Sequence, residues 1–214
     1  MTTAPDPEDL TARARIRDAA LWHFGEHGYE RATIRGIAET AGVSLGLVRH
    51  HFGSKQALRE ACDEHLVRTM HRLHEEAATR PPGGLNPVAM MGPYRRYLAR
   101  ALAEGWAEPF FDEMVRIGER WLAQADESRP DVPDVDPRSR SAVIAAMALS
   151  LSVLSKHVER GMGVDLDSVE GQDKLLRALL DVYSHPLMTP EEAAAARAVL
   201  DRGHGQQADR RRGE

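Results

Sequence analysis

The chain has 214 residues, 42% of them hydrophobic and 29% charged, which suits a globular protein and excludes extended disorder. Cys62 is the single cysteine in the sequence, so an intramolecular disulfide and a cysteine-built zinc site are excluded. The most apolar stretch, 142–154, is shorter than the roughly 20 residues of a membrane-spanning helix. Residues 1–9 are polar and acidic, unlike a signal peptide, so we expect a cytoplasmic protein without a membrane segment.

Apolar residues recur at helical spacing throughout the chain, and sustained strand-like alternation is missing, so the predicted fold class is all-α. Gly28 is placed to end the first helix, and prolines and glycines at 81–84 stop the fourth. The pattern predicts a small domain over 1–54, a larger helical domain over 55–202 and a mobile tail over 203–214. The predicted helices cover 10–27, 33–41, 44–51, 54–79, 87–104, 107–125, 138–161, 168–184 and 190–202.

Residues 33–52 have the pattern of a helix-turn-helix. Thr33 can cap a short helix in which the small side chain of Ala38 permits a close crossing with a second helix. Gly42 can supply the positive φ of a sharp turn, and Ser44 can cap the second helix. Such a short second helix depends on its neighbours for stability, which leaves its outer face available for recognition. We therefore predict DNA binding by this segment.

The charge distribution supports the same prediction. Between Arg31 and Arg59 the sequence has five basic residues and one acidic residue, a net +4, so the remaining 185 residues sum to −9. A basic patch on an acidic molecule is typical of a protein that presents one face to phosphate. A helical hairpin with a basic surface and no ligand is the alternative interpretation.

Within the hairpin, chemistry suggests a role for several side chains. Arg49 could donate two hydrogen bonds to guanine, and Leu45 and Leu47 could contact thymine methyl groups in the major groove. Lys55, in the first turn of a helix that Ser54 can cap, would form a phosphate site. The predicted DNA-binding residues are Thr33, Arg35, Ser44, Leu45, Gly46, Leu47, Arg49, His50, His51 and Lys55.

The segment 13–58 carries Ile16, Ala19, Ala20, Phe24, Gly28, Tyr29, Ala32, Thr33, Ile37, Ala38, Ala41, Gly42, Val43, Ser44, Gly46, His51, Phe52, Lys55 and Leu58. In these residues it resembles the DNA-binding domain of the TetR family of bacterial transcriptional regulators. The resemblance implies a homodimer with an all-α ligand-sensing domain, and phosphate contacts from Thr33, Ser44, His51 and Lys55. Arg49 stands where the family usually has an aromatic residue, so base reading and phosphate binding both stay open for it.

Two helices of the larger domain are apolar over much of their surface. Few polar residues interrupt the predicted helix 138–161, so its apolar surface needs burial on two sides. The predicted helix 168–184 has a broad stripe of leucines. They can form the intrachain core on one side and an isologous four-helix interface on the other, and the resemblance places the family's dimer interface there. A dimer would set two recognition helices about 34 Å apart and predicts a palindromic operator. Candidate interface residues are Leu149, Val153, Leu176, Leu180 and Tyr183.

Most methionines and aromatic residues of the larger domain could together line an adaptable apolar pocket for an unknown small-molecule effector, although taken singly each is better explained as ordinary core. The candidates are Met70, Met90, Met91, Tyr94, Tyr97, Trp106, Phe110, Phe111, Met114, Trp121 and Met147.

The histidine pairs His23/His27 and His71/His74 have metal-ligand spacing, but solvated helix faces explain them, so no metal or cofactor is predicted. A catalytic motif is also missing, and we do not expect an enzyme. The prediction is a repressor that binds a palindromic operator as a homodimer and is released by a small, largely apolar ligand. The alternatives are an activator or a partner-controlled DNA-binding protein, and more remotely an enzyme.

Overall fold

The computed structural model describes residues 7–78, 94–129, 131–185 and 187–212. All regular elements within these ranges are helices, as predicted. In chain order they are α1 (Pro7–Arg31), α2 (Ile34–Ala41), α3 (Leu45–Phe52), α4 (Lys55–Ala78), α5 (Arg95–Ala103), α6 (Glu108–Asp126), α7 (Pro137–Val153), α8 (Ser155–Met162), α9 (Val169–Ser184) and α10 (Pro190–Arg212).

Three predicted helices differ most from the observed ones, and residues 87–93 of the predicted helix 87–104 lie outside the described residues. Gly28, at φ 79° and ψ 162°, kinks α1, which then continues to Arg31. The predicted helix 138–161 is two helices, α7 and α8, which meet at Leu154 with a bend of 74°. Near this bend the Ser150 hydroxyl donates to the Met147 carbonyl at 2.7 Å, a local bond that competes with helix continuation. The last predicted helix, 190–202, continues to Arg212, while mobility of 203–214 stays a prediction.

The first four helices pack around one apolar centre. Ile16 and Phe24 from α1, Ile37 from α2, Val48 from α3 and Leu58 from α4 are almost completely buried there. Within each of these helices the buried side chains recur mostly every three or four residues, so each helix turns one apolar face inward and its polar face outward. The same cluster of buried side chains continues into α5, α6 and α7, so the small domain shares its core with the larger one.

The contact between α1 and α5 fixes the position of the helix-turn-helix. At Gly25 the two backbones are so close that an added Cβ would lie 2.9 Å from the Tyr97 amide nitrogen. The Arg100 Nε donates to the Gly25 carbonyl oxygen at 3.1 Å, and Arg96 pairs with Glu26. Because glycine is the only residue without a Cβ, this close approach depends on Gly25.

The other end of the molecule is formed by α6 to α9. Gly118 of α6 lies against Ser141 of α7, whose buried hydroxyl donates to the Val115 carbonyl at 2.6 Å. A second apolar cluster joins α9 to the segment before it through Leu175 and Leu166. In the described part of the chain no single helix is long and apolar enough to cross a membrane. The bent pair α7 and α8 has the required length and apolar composition only when the two helices are taken together.

We expect Gly25→Ala to destabilise the protein by about 1–3 kcal/mol, because the added methyl would overlap the α5 backbone. Gly161→Ala is the matched control, since Gly161 is also helical and a Cβ there meets no atom within 4 Å. The free energy of unfolding of the control should rise by about 0.5–1 kcal/mol, because alanine has a higher helix propensity than glycine. Urea unfolding followed by circular dichroism measures both, and equal changes in the two variants would contradict the close approach.

Candidate nucleic-acid interface

The turn between α2 and α3 is held by local hydrogen bonds. The Thr33 hydroxyl accepts from the Gly36 amide at 3.1 Å, and the Ser44 hydroxyl accepts from the Leu47 amide at 3.2 Å. Between the two helices, Gly42 has φ 65° and ψ 39°, a left-handed conformation that favours glycine. The two predicted caps and the predicted turn are thus confirmed. Each capping hydroxyl still has its own hydrogen to donate, for example to a phosphate.

The outer face of α3 is exposed and the inner face is buried, as predicted. Val48 and Phe52 lie in the core, whereas Leu45 is 39% exposed and Arg49 and His50 are exposed. Leu47 and His51 are half-buried, and Gly46 is exposed with no side chain to cover the surface around it. The exposed face therefore offers a guanidinium, an imidazole and an aliphatic side chain to a partner, which are the groups that contact base edges and thymine methyls.

A small cavity of about 230 Å³ lies where α2, α3 and α4 meet. The Ser54 hydroxyl caps α4 by accepting from the Ala57 amide at 3.0 Å, which confirms the predicted cap. Lys55 Nζ lies 4.4 Å from the Tyr29 ring centre and donates to the Glu30 carbonyl at 3.2 Å, which leaves two of its three hydrogens for other acceptors. The residues that line the cavity are Ile34, Val48, Arg49, Gly53, Ser54 and Lys55.

The cations of the predicted basic patch do not all lie on one exposed face. Arg35 is exposed and pairs with Glu39 at 3.1 Å, so its charge is partly compensated. Arg59 is stacked between the rings of Tyr29 and Trp106 and does not join the exposed face of α3. Sequence reasoning missed Arg13 of α1, whose guanidinium lies 5.1 Å from the Phe52 ring centre and adds positive charge beside α3. No local pattern signals this contact, because it depends on the packing of α1.

Among the residues that the structure describes, the predicted effector residues differ in burial and do not all line one cavity. Met70, Tyr97 and Phe110 are buried in the core. Tyr94, Trp106, Phe111 and Met114 pack against that core and are partly buried. Trp121 is 44% exposed and Met147 is 58% exposed, and Met90 and Met91 lie outside the described residues. The pattern could not separate core from pocket, because both use large apolar side chains at helical spacing.

A groove of about 930 Å³ does lie between α4 and the start of α6, but charged side chains form much of it. Of the predicted effector residues that the structure describes, Trp106 lines it. The predicted effector site consists of methionines and aromatic rings, so the sequence pattern did not point to this charged groove. The lining residues are Arg59, Glu60, Asp63, Glu64, Val67, Arg68, Gly105, Trp106, Glu108, Pro109, Asp112 and Arg116.

The candidate interface residues differ in exposure. Leu149 is buried in the core of its own subunit, so it is not available to a partner in this arrangement. Leu176 is half-buried, whereas Val153, Leu180 and Tyr183 are 44%, 49% and 65% exposed. The apolar surface of α7 also includes Val143, Ile144 and Met147, all of which are exposed.

The histidine pairs have protein partners. His23 Nε2 lies 2.8 Å from the Thr40 hydroxyl and ties α1 to α2, while burial, and then the neighbouring His27, lower the pKa of His23. His71 contacts the buried Glu113 at 3.2 Å, and the His74 ring packs against Trp121. Within the described ranges, no three His, Cys, Asp or Glu side chains are grouped to hold a metal ion.

Fold and site together define a helix-turn-helix transcription regulator. Residues 16–62 match the family described as bacterial regulatory proteins, tetR family. The chain is 38% identical over 190 residues to the HTH-type transcriptional regulatory protein RaaS of Mycobacterium tuberculosis, covering 85% of this chain and 84% of that protein. This chain therefore belongs to the TetR family of DNA-binding transcriptional regulators.

Two further proteins are similar over different extents. The HTH-type transcriptional repressor AcnR of Corynebacterium efficiens is 41% identical over 58 residues, which cover 27% of this chain and 31% of that protein. A solved structure described as a gamma-butyrolactone receptor, ArpA-like protein, is 26% identical with a TM-score of 0.57, covering 82% of this chain and 98% of the other. These relatives are regulators and receptors, not enzymes.

The groove contains an acid whose ionisation should affect stability. Burial is the main cause that raises the pKa of Asp63 to about 6, against about 3.9 in an unfolded chain. Between about pH 4 and pH 6 the folded state therefore binds the proton more tightly than the unfolded state. The contribution of Asp63 to the free energy of unfolding is fully present below about pH 4 and is lost as the pH rises through 6.

We expect Asp63→Asn, which still accepts the Tyr97 hydroxyl, to stabilise the protein by about 1 kcal/mol near pH 8 after allowance for solvent screening of the carboxylate. The gain should shrink as the pH falls to 4, where the folded parent is protonated and the unfolded parent is about half protonated. Urea unfolding at the two pH values measures this difference. Asp112→Asn, at an exposed position in the same groove, is the control, and a gain independent of pH would contradict the role of ionisation.

Proposed function

We propose that this protein is a cytoplasmic repressor that binds a palindromic operator as a homodimer and releases it when a small molecule binds the larger domain. The observation that carries the proposal is the capped α2–turn–α3 unit, which leaves Leu45, Arg49 and His50 exposed beside a cationic cavity. Exposed base-reading groups next to phosphate-binding groups are what sequence-selective DNA binding requires.

Arg49 is better suited to phosphate than to guanine. It shares the cavity of about 230 Å³ with Lys55 and with the capped first turn of α4. Two cations and the amide groups of a helix N-terminus favour an anion at this point. In this arrangement Arg49 and Lys55 would fix the register of the protein on DNA, and Leu45, Leu47 and His50 would read bases.

A dimer is supported by the apolar surface of α7 and α9. Val143, Met147, Leu180 and Tyr183 expose large apolar side chains on these helices, and burial against a second copy would remove them from water. A closed two-fold interface places two copies of α3 in symmetric positions, which matches a palindromic operator.

Repression and release by a ligand are supported by the relatives. AcnR is named a repressor, and the similar solved structure is named a receptor for gamma-butyrolactone. A ligand that binds one conformation of the larger domain better than the other would shift the population away from the DNA-binding state. In this proposal the ligand binds the groove between α4 and α6, whose charged lining favours a polar ligand over the mainly apolar one that the sequence suggested.

The proposal can be tested with DNA from upstream of the protein's own gene. A gel-shift assay should give a sequence-selective complex that weakens as salt rises, because phosphate contacts release counterions. A reporter under that DNA should be more active when the gene is deleted. A selective complex with lower reporter activity after deletion would indicate an activator, and no selective complex would contradict the function.

We expect Lys55→Ala and Arg49→Ala each to weaken binding to all DNA sequences by similar factors, about tenfold, because both remove a phosphate contact. Their salt dependence should fall by about one counterion each. His50→Ala is the comparison, and it should change the preference at one base position. Fluorescence anisotropy with an operator and single-base variants measures this, and a base-specific loss for Arg49→Ala would assign it to base reading.

We expect Leu180→Glu to shift the protein from dimer to monomer and to lower operator affinity by more than tenfold, because a charge would be buried at the interface. Val132→Glu is a matched control at an exposed apolar residue outside α7 and α9. Sedimentation velocity at micromolar concentration reports the mass. A dimeric Leu180→Glu variant would exclude this face as the interface.

A further inference from the structure

Two opposite charges on α4 line the groove one helical turn apart and do not pair with each other. Arg59 and Asp63 are four residues apart, a spacing at which an arginine and an aspartate on a helix surface commonly form an ion pair. Each is instead held by an aromatic residue from another part of the chain. The two groups form no ion pair within 4 Å, although the Arg59 charge partly offsets the rise that burial causes in the pKa of Asp63, and both line the same groove.

Arg59 is fixed in place without using its hydrogen-bond donors. Its guanidinium carbon lies 5.3 Å from the Tyr29 ring centre and 5.2 Å from the Trp106 ring centre. Its Nε is enclosed and has no acceptor among the described residues. Stacking between two rings limits the rotamers of the side chain but does not satisfy its N–H groups. A guanidinium held in this way is ready to bind a carboxylate or phosphate.

Asp63 is a complementary acceptor. The Tyr97 hydroxyl donates to its Oδ1 at 2.6 Å, and the ring of Tyr97 packs edge-on against Trp106 with centroids 5.2 Å apart. The carboxylate has one hydrogen-bond donor and no ion-pair partner within 4 Å in the described structure. It can therefore accept further hydrogen bonds from a cationic group in the groove.

The remaining charges of the groove exclude a simple anion. Arg68 is neutralised by Glu64 at 3.2 Å, and Arg116 is neutralised by Glu113 at 2.5 Å. By contrast, Glu60, Glu108 and Asp112 have no ion-pair partner in the described part of the chain, so they leave the groove acidic around Arg59. A ligand with only a negative group would be repelled, and a ligand with only a positive group would leave Arg59 unsatisfied.

We propose that the groove binds a zwitterionic organic molecule, with its carboxylate on Arg59, its ammonium group on Asp63 and an apolar or aromatic body against Trp106. This inference rests on the ligand-responsive function proposed above and names the chemical class of the ligand. A volume of about 930 Å³ is within the range of small-molecule sites and accommodates a short peptide. The ends of a dipeptide are at most about 7 Å apart, which is compatible with one turn of α4.

The same contacts connect the ligand to the DNA surface. The Tyr29 ring lies beside both Arg59 and Lys55, and Lys55 lines the cavity at α3. A carboxylate that binds Arg59 neutralises one of the two cations that rest on the Tyr29 ring. Ligand binding would therefore alter the electrostatic surroundings of Lys55, whose ammonium group lies on the same ring.

The test uses the full chain and phenylalanyl-phenylalanine as the zwitterionic probe. Its methyl ester has only the ammonium group, and its N-acetyl form has only the carboxylate. Isothermal titration should show the dipeptide binding at least about tenfold more tightly than either blocked form, since each blocked form loses one charge-assisted contact. Binding of the three probes with equal affinity, or no binding of the dipeptide, would overturn the proposal.

Variants show which group of the ligand binds Arg59 and which binds Asp63. Arg59→Met should remove the preference over the methyl ester, and Asp63→Asn should remove the preference over the N-acetyl form. Arg59→Lys, which keeps the charge but loses the bidentate geometry, should bind with intermediate affinity. Arg68→Met, at a paired cation in the same groove, is the control and should keep both preferences. Unchanged preferences in the Arg59 and Asp63 variants would overturn the assignment.

Measuring operator affinity in the presence of ligand distinguishes a failure of this inference from a failure of the proposed function. Dipeptide binding with the expected charge preference, but without any change in operator affinity, would overturn ligand-controlled release and leave the groove assignment in place. Release of operator by an uncharged apolar molecule that acts equally on Arg59→Met would overturn the groove assignment and leave ligand-controlled release in place. Release by the dipeptide in the parent protein and not in Arg59→Met supports both.

Discussion

The stacking of Lys55 and Arg59 against the Tyr29 ring joins the DNA-facing end of α4 to its groove-facing part. The two cations belong to consecutive turns of one helix, so a rigid element connects a phosphate-binding position with a ligand-binding position. Tyr29 can lie between them because Gly28 kinks α1 at a positive φ just before it. The arrangement needs no long chain of contacts between the two sites, because one ring touches both.

A shared core makes this connection effective. Apolar side chains from α1 to α7 form one cluster, so the helix-turn-helix is not a separate body on a linker. Gly25 brings α1 against α5, and Arg100 bonds to the α1 backbone at the same place. Because a close-packed core resists gradual deformation, a change at Arg59 is more easily accommodated by a small shift of whole helices.

The local features of the hairpin were predictable from sequence, and the groove was not. Caps at Thr33 and Ser44 and the turn at Gly42 depend on residues within four positions of each other, so the sequence pattern contains the whole interaction. Arg59 was counted with the basic patch because its stacking on Trp106 joins positions far apart in the chain. The bend at Leu154 was missed because continuous apolar spacing indicates one helix, whereas serine hydroxyl bonding near its end is visible only in the structure.

The most direct measurement of the connection is operator affinity of the Tyr29→Leu variant by fluorescence anisotropy. Without the ring, Lys55 loses its cation–π contact, and we expect binding to operator and to unrelated DNA to weaken by the same factor, about fivefold. Trp121→Leu, at an exposed ring of α6 outside the hairpin and the proposed interface, should leave affinity for both DNAs unchanged. Parent-like affinity of Tyr29→Leu for both DNAs would contradict a role for the ring in positioning Lys55.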